Sequence, residues 1–238
     1  MATYILVHGA WHGGWCWERL VPLLTEHGHQ VLAPDLPGME QVPRPLGSAP
    51  LGEWADFVAD LVSSAEGPVV LVGHSRGGVV ISEVAERVPD IIDRLVYLTA
   101  FLLESGQSLA DVANRHPDVG PGPLIRPADH PSRVTVDLES AIPIFYNRMS
   151  DADARGATVR LVPEPLAALT TPVTLTAERF GRVPRAYIEC ADDRAISIEM
   201  QREMQARLPC DPVITLDCDH SPFYSAPRQL AEVLLSLA

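Results

Sequence analysis

Short apolar runs recur along the chain, and their composition predicts buried strands. Apolar residues fill nearly every position of each run, as in strands of a sheet that is covered on both faces. The runs lie at 4–8, 30–33, 69–72, 94–99, 184–190 and 212–216. Segments of predicted helical character separate or follow them, at 17–26, 51–64, 79–87, 198–208 and 229–237. This alternation predicts an α/β fold with a mainly parallel sheet of about six strands flanked by helices.

The alternation is interrupted between residues 102 and 178. Prolines crowd 117–131, no strong strand pattern appears, and short helices are predicted at 138–148, 152–161 and 163–169. A structureless segment of this length is uncommon inside a compact domain, so we predict a helical cap inserted over the strand ends. The expected organisation is a core of 1–101 and 179–238 with a cap of 102–178. The proline-rich segment 41–50 is predicted to be a loop.

A candidate catalytic motif begins where the apolar run at 69–72 ends. The next five residues read GHSRG, which fits the G-x-S-x-G pattern of a nucleophile elbow centred on Ser75. In this motif, small residues on both sides of the serine permit a sharp, strained turn between a strand and a helix. The N–H group that follows the serine then faces a developing oxyanion. The pattern is also compatible with a glycine-rich turn that has no catalytic role, so its interpretation depends on partner residues.

A nucleophilic Ser75 requires a base and an acid from other loops at the same edge of the sheet. His220 directly follows the last predicted strand, which makes it the candidate base. The acid should follow the preceding strand, where Asp192 and Asp193 are adjacent. Chain order alone does not decide which of the two is the acid. Less favoured acids are Asp219, beside the histidine, and Asp35.

An oxyanion hole requires two backbone donors. One is the N–H of Arg76, and the other should come from the glycine-rich turn after the first strand. Ala10 N–H is the candidate, because Gly9 lets the backbone approach the site. His8 and His12 share this turn but have no carboxylate or thiol partner at ligand spacing. We therefore predict no metal site and expect no cofactor.

The amino-acid composition indicates which kinds of molecule the protein binds. The chain has 238 residues, with 18 Lys and Arg against 31 Asp and Glu and a formal net charge of −13. An acidic surface argues against nucleic acid or an anionic membrane as the main partner, and leaves a small-molecule substrate. The four cysteines show no CxxC spacing, and no signal peptide or membrane span is recognisable, so a cytoplasmic location is expected. Exposed cap surfaces allow a homodimer.

Taken together, these motifs resemble the plant methylesterase and hydroxynitrile lyase family of α/β-hydrolases, which includes methyl salicylate esterases. The segments that carry the resemblance read LVHGAWHGGWCWERLVPLL, GHSRGG, AERFGRVPRAYIECADDRAISIEMQREM and DHSPFYSAP. The resemblance covers nearly the whole chain and is weakest at 108–136. It implies an α/β-hydrolase fold in which Ser75 is the nucleophile, His220 the base, and Asp193 rather than Asp192 the acid.

Departures from the family pattern bear on the reaction. Its lyases are expected to carry a lysine directly after the catalytic histidine and a threonine in the first loop. Ser221 and Gly9-Ala10-Trp11 occupy these places. The resemblance therefore favours a serine esterase that cleaves a small carboxylic ester through an acyl-enzyme. Candidate substrate-binding residues are Gly9, Trp11, Tyr146 and Ser221.

Arg76 also departs from the family, which more commonly has leucine or methionine after the nucleophile. Its side chain is expected either to bind an acidic substrate or to face solvent. Two alternatives to the esterase stay open. One is another reaction on the same scaffold, by a hydroxynitrile lyase, thioesterase, lactonase or natural-product tailoring hydrolase. The other is a ligand-binding protein without catalytic activity.

Overall fold

The computed structural model describes residues 1–40, 47 and 50–238. The described residues form nine strands, named here in chain order: β1 (Thr3–Val7), β2 (Gln30–Leu32), β3 (Val69–His74), β4 (Arg94–Leu98), β5 (Ile125–Pro127), β6 (Arg133–Val136), β7 (Glu164–Pro165), β8 (Arg185–Cys190) and β9 (Val213–Leu216). They also form ten α-helices: α1 (Val21–Thr25), α2 (Pro50–Ser64), α3 (Gly77–Arg87), α4 (Leu109–Ala113), α5 (Leu138–Phe145), α6 (Asp151–Thr158), α7 (Leu166–Thr170), α8 (Ile198–Arg207), α9 (Pro222–Ser225) and α10 (Pro227–Ser236).

Six strands form one parallel sheet in the order β2-β1-β3-β4-β8-β9. Its two faces are both covered, which explains why the strands read as continuous apolar runs. Ile5 and Leu71 pack on the face that carries α2 and α3, whereas Leu6 and Val70 pack on the face that carries α1 and α10. The six-stranded parallel sheet predicted from the sequence is confirmed.

Strand order places a crevice at the centre of the sheet. The chain leaves β1 to form β2 on one side of it, and then returns to form β3 on the other side. The loops that follow β1 and β3 therefore diverge at a topological switch point, where open α/β sheets bind their ligands. These two loops contain the first glycine-rich turn and the G-x-S-x-G motif.

Residues 102–178, which we call the cap, differ from the prediction in one respect. Helices α4 to α7 lie there, but β5, β6 and β7 also form a small antiparallel sheet that the sequence did not reveal. These strands are two to four residues long, too short to give an alternating pattern. The predicted helix at 163–169 begins only at Leu166, because Glu164 and Pro165 pair with β6. The division into core and cap stays a prediction.

Two other predictions differ from the structure or fall outside it. The helix predicted at 17–26 is divided into a 3-10 turn at Gly14–Trp17 and α1, whose Pro22 occupies the first turn of the helix, where proline is tolerated. The loop predicted at 41–50 lies almost entirely outside the described residues. None of the helices in the described part of the chain is both long enough and apolar enough to cross a membrane.

Candidate active site

Ser75 lies in the turn between β3 and α3 with a φ of 53°, a left-handed conformation that is uncommon for residues with a Cβ atom. The two glycines of the motif permit this turn. A Cβ added to Gly73 would lie 2.6 Å from the Gly77 carbonyl oxygen, and one added to Gly77 would lie 2.5 Å from the Val7 carbonyl oxygen. This strain and close packing are features of a nucleophile elbow.

His220 follows β9 and faces Asp193, which follows β8. The His220 Nδ1 atom lies 2.7 Å from Asp193 Oδ2, and both side chains are buried. Because a carboxylate oxygen accepts hydrogen bonds, Nδ1 carries the proton and Nε2 is the basic nitrogen. His220 and Ser75 line the same cavity. The fold thus brings the three residues of the predicted triad to the carboxyl edge of the sheet.

Three further donors hold the Asp193 carboxylate. Its Oδ1 atom accepts hydrogen bonds from the backbone N–H groups of Ala195, at 2.6 Å, and Ile196, at 2.9 Å. Its Oδ2 atom also accepts the hydroxyl proton of Thr99. Hydrogen bonds to an ionised carboxylate are stronger than those between neutral groups, so these contacts fix the position of this carboxylate.

The other candidate acids have different partners. Asp192 is partly exposed and pairs with Arg148 Nε at 2.7 Å. Asp219 is buried, and it accepts the hydroxyl proton of Ser225 at 2.6 Å and the N–H of Arg148 at 2.9 Å. Asp35 accepts the N–H of Gly14 at 2.7 Å. None of these three carboxylates binds His220, whereas Asp193 binds its imidazole.

The two residues expected to provide the oxyanion donors both line the cavity that Ser75 also lines. The donors are the N–H groups of Ala10, in the turn after β1, and of Arg76, at the start of α3. Neither N–H donates to any acceptor among the described residues. Two unpaired donors at the nucleophile are what an oxyanion hole requires.

The Arg76 side chain is fully buried and paired through two of its three nitrogens, whereas Nη1 has no hydrogen-bond partner among the described residues. Its Nε atom is 3.0 Å from Glu164 Oε1, and both side chains are fully buried. Its Nη2 atom donates to the Gly9 carbonyl oxygen at 3.0 Å, and the guanidinium stacks 4.3 Å from the Trp54 ring centroid. Burial lowers the pKa of Arg76, and the Glu164 carboxylate opposes this effect. The expectation of a solvent-facing group is therefore wrong, and binding of an acidic substrate stays a prediction that the pairing with Glu164 disfavours.

The histidines near the site are buried and hydrogen-bonded. His12 donates from Nδ1 to the Ala10 carbonyl oxygen at 2.7 Å and accepts at Nε2 from the Tyr146 hydroxyl at 2.8 Å. His8 donates from Nδ1 to Gly9 O at 2.9 Å and accepts the N–H of Leu36 at Nε2. Since both ring nitrogens of each histidine have protein partners, neither is available as a metal ligand. Within the described ranges, no cluster of three or more metal-ligating side chains is present.

His74 precedes the nucleophile and supports the catalytic loop. Its Nε2 atom donates to the His220 carbonyl oxygen at 2.7 Å. Burial is the main cause that lowers the pKa of His74 well below 6.5, with the neighbouring His220 as a second cause. Burial likewise lowers the pKa of His12 to about 4. Both rings are therefore neutral at pH 7 and act as hydrogen-bonding groups rather than as bases.

A cavity of about 570 Å³ lies between the core and the cap. Trp11 lines it, as predicted for a substrate-binding residue, whereas Gly9, Tyr146 and Ser221 lie outside the set of described residues that form its wall. The last two are buried, and Tyr146 binds His12 instead. Most of the wall is apolar, with contributions from Phe101, Leu109, Ile125, Phe145, Leu166, Leu169, Ile196 and Met200.

Comparison with known proteins places this arrangement in a family. The model of the alpha/beta hydrolase family matches residues 4–233. The chain belongs to the alpha/beta hydrolase family. This alpha/beta hydrolase is 34% identical over 245 residues to a pyrethroid hydrolase of Sphingobium wenxiniae, in a match that covers 98% of this chain and 86% of that protein.

Plant relatives and a solved structure extend the comparison. Methylesterase 9 of Arabidopsis thaliana is 28% identical over 255 residues, which cover 100% of this chain and 98% of that protein. The crystal structure of polyneuridine aldehyde esterase matches with a TM-score of 0.86 at 25% identity, over 100% of this chain and 99% of that chain. This alpha/beta hydrolase spans only 63% and 56% of two longer Arabidopsis thaliana relatives. The resemblance to plant methylesterases is confirmed.

Two residues of the site were not predicted from the sequence. Thr99 follows β4 at the same edge of the sheet as Ser75, and that position is the signal that could have identified it. Glu164 lies between two prolines in the cap, and nothing in the local sequence links it to Arg76. Its role depends on how the cap folds over the sheet.

Proposed function

We propose that this alpha/beta hydrolase is a serine esterase that cleaves neutral, largely apolar carboxylic esters. One observation carries the proposal. His220, hydrogen-bonded to Asp193, lines the same cavity as Ser75, Ala10 and Arg76, and the backbone N–H groups of Ala10 and Arg76 have no acceptor among the described residues. The relatives named pyrethroid hydrolase and methylesterase support the same class of reaction.

Acylation would begin with proton transfer from the Ser75 hydroxyl to His220 Nε2, while the serine oxygen attacks the ester carbonyl carbon. The carbonyl oxygen becomes an oxyanion, which the N–H groups of Ala10 and Arg76 stabilise. Asp193 holds the imidazolium that forms. Collapse of the tetrahedral intermediate breaks the bond to the alcohol oxygen, which takes the proton from His220, and the acyl group stays on Ser75.

Deacylation would repeat these steps with water as the nucleophile. His220 removes a proton from water, and the hydroxide oxygen attacks the acyl carbon. The same two N–H groups stabilise the second oxyanion. Its collapse releases the carboxylic acid, and His220 returns the proton to the Ser75 oxygen.

The cavity indicates which esters fit. Its wall is mostly apolar, and the Arg76 guanidinium that borders it is already paired with Glu164. A carboxylate on the substrate would lose hydration without gaining an unpaired cation, and this is unfavourable. A neutral ester gains from burial of its apolar groups.

Hydrolysis of p-nitrophenyl esters from acetate to octanoate would test the proposal. Wild type should turn them over, and Ser75→Ala should lose at least about a thousandfold in kcat, as loss of a triad nucleophile does. Ser64→Ala, at an exposed position on α2, is the matched control and should retain full activity. Equal rates for wild type and Ser75→Ala would contradict the assignment of Ser75.

A fluorophosphonate probe separates the alternatives, because it reacts with an activated serine whatever the natural substrate. Intact-mass detection of an adduct on Ser75 without turnover of any ester would favour another acyl or carbon–carbon reaction on this scaffold. The absence of both labelling and turnover would favour a ligand-binding protein. The small-molecule partner, the cytoplasmic location and the homodimer stay predictions.

A further inference from the structure

The turn after β1 is held in an unfavourable conformation. Trp11 has a φ of 61°, in the left-handed region that bulky residues rarely adopt. Such a conformation persists only where surrounding contacts determine it. Since Ala10, with its expected oxyanion donor, directly precedes Trp11, those contacts also bear on the geometry of the oxyanion hole.

Trp11 is bound to the cap through all three of its polar groups. Its N–H donates to Glu164 Oε2 at 3.0 Å, and its carbonyl oxygen accepts the N–H of Val162 at 2.9 Å. Its indole Nε1–H donates to the Val134 carbonyl oxygen at 3.2 Å. Val134 and Glu164 are paired across β6 and β7. The small sheet of the cap therefore fixes one side of the turn.

Arg76 fixes the other side. Its Nη2 atom donates to the Gly9 carbonyl oxygen at 3.0 Å, and the His8 Nδ1–H donates to the same oxygen at 2.9 Å. That carbonyl and the Ala10 N–H belong to one planar trans peptide, in which the C=O and N–H bonds point in opposite directions. The two donors that hold the Gly9 oxygen together set the direction of the Ala10 N–H.

Arg76 and Glu164 also bind each other, at 3.0 Å and with both side chains fully buried. A buried ion pair is weak evidence for stability, because the desolvation of two charges offsets their attraction. This pair has a geometric consequence as well. The backbone of Arg76 provides one oxyanion donor, and its side chain, with Glu164, holds the peptides on both sides of Ala10.

Resting on the proposed function, we propose that the Arg76 side chain and Glu164 are positioning residues for the oxyanion hole. They fix the N–H of Ala10 relative to that of Arg76, so that the cap completes the hole. Neither side chain takes part in proton transfer or touches the oxyanion itself.

Three variants test this role: Arg76→Met, Glu164→Gln and the double variant. Arg76→Met keeps the backbone N–H but removes one of the two donors to the Gly9 carbonyl, and leaves the His8 Nδ1–H in place. Because the oxyanion exists only in the transition state, we expect kcat for p-nitrophenyl butyrate to fall at least about tenfold while KM changes less than about threefold. Glu164→Gln retains an acceptor for Trp11 and should lose less kcat than Arg76→Met.

The double variant separates positioning from charge balance. Each single variant leaves one member of the pair buried without its partner and should lower Tm. The double variant removes both charges, so Tm should recover at least half of the larger loss. We expect kcat of the double variant to stay at least tenfold low, because the Gly9 carbonyl still lacks the Arg76 donor and is held by His8 Nδ1–H alone. Recovery of kcat together with Tm would overturn the proposal.

A boronic acid gives a second readout that does not depend on turnover. Butylboronic acid forms a tetrahedral adduct with an activated serine, and its oxygen occupies the oxyanion hole. Its Ki should rise for Arg76→Met in parallel with the fall in kcat. The matched control is Asp153→Asn, which breaks an exposed ion pair between the cap and Arg19 of the core. It should leave kcat and Ki within about twofold of wild type.

The outcomes distinguish failure of this inference from failure of the proposed function. If wild type were active and Arg76→Met had the same kcat and Ki, the positioning role would be wrong. The proposed esterase function would be unaffected. If wild type showed no turnover and formed no boronate or fluorophosphonate adduct on Ser75, the proposed esterase function would be wrong. The positioning role, which rests on that function, would then be wrong as well.

Discussion

The Thr99 hydroxyl donates to Asp193 Oδ2, the same oxygen that receives the Nδ1–H of His220. Thr99 also has a φ of 38°, which is uncommon for a β-branched residue. It follows β4, which lies between the strand that leads to Ser75 and the strand that leads to Asp193. Its hydroxyl thus fixes the acid from the middle of the sheet.

Removal of this hydroxyl should weaken the orientation of His220. We expect Thr99→Val, which keeps the branched shape, to lower kcat about tenfold on p-nitrophenyl butyrate, since a hydrogen bond to a charged group contributes about 1.5–3 kcal/mol. Thr99→Ser keeps the hydroxyl and should remain within about threefold of wild type. If Thr99→Val matched wild type in kcat, the hydroxyl would have no role in orienting the acid.

Two adjacent carboxylates offer a matched pair of variants. Asp193→Asn should lower kcat by about 10⁴, because an amide no longer holds the correct imidazole tautomer or stabilises the imidazolium. Asp192→Asn alters a partly exposed pair with Arg148 and should leave kcat within about threefold. Steady-state kinetics on one ester measures both. A large loss for Asp192→Asn with a small loss for Asp193→Asn would reverse the assignment.

Substrate charge should affect the specificity constant. We expect kcat/KM for p-nitrophenyl butyrate to exceed that for p-nitrophenyl hemisuccinate at least about tenfold, because an unpaired carboxylate is costly in an apolar cavity. The uncatalysed hydroxide rates of the two esters provide the correction for intrinsic reactivity. A preference for the hemisuccinate would mean that the site presents an unpaired cation to the substrate.

Buried histidines should make the fold sensitive to acid. Burial lowers the pKa values of His8, His12 and His74 in the folded protein, to about 4 for His12, whereas each is about 6.5 in the unfolded chain. Below pH 6.5 the unfolded chain therefore binds protons that the folded protein does not. The free energy of unfolding should fall as pH falls, by up to about 1.4 kcal/mol per pH unit for each histidine.

Urea unfolding at pH 7.5, 6.5, 5.5 and 5.0 measures this slope. His12→Asn removes one of the three groups, so its slope below pH 6 should be smaller than that of wild type by about 1.4 kcal/mol per pH unit. The variant should also be less stable than wild type at pH 7.5, because Ala10 O and Tyr146 lose their partner. A wild-type stability that is flat between pH 6.5 and 5.0 would contradict the prediction.

Much of the core follows from local patterns in the sequence. Continuous apolar strands require cover on both faces, so the alternation of runs and helices determines a parallel sheet. In such a sheet all the strands end at one edge, and chain order alone therefore predicts that Ser75, His220 and Asp192 or Asp193 lie near each other. The choice of Asp193 came from family resemblance, and the carboxylate contacts now give its physical basis.

The remaining features depend on contacts between residues far apart in the chain. Glu164 meets Arg76 across 88 residues, and Thr99 meets Asp193 across 94. No spacing rule relates such positions, and the short strands of the cap give no periodic signal. The sequence shows the charge of Arg76 but not the carboxylate that is buried beside it.

The attachment of Trp11 to the cap has a consequence for protein engineering. Exchange of the cap for that of a relative, as a way to change the range of substrates, would assume that the core keeps its catalytic power. Here Val134, Val162 and Glu164 belong to the piece that would be exchanged, yet they hold the turn of the core that carries Ala10. A chimaera of this chain must therefore keep partners for these three contacts with Trp11 in the new cap. Otherwise Arg76 must be replaced by a residue that suits the new cap.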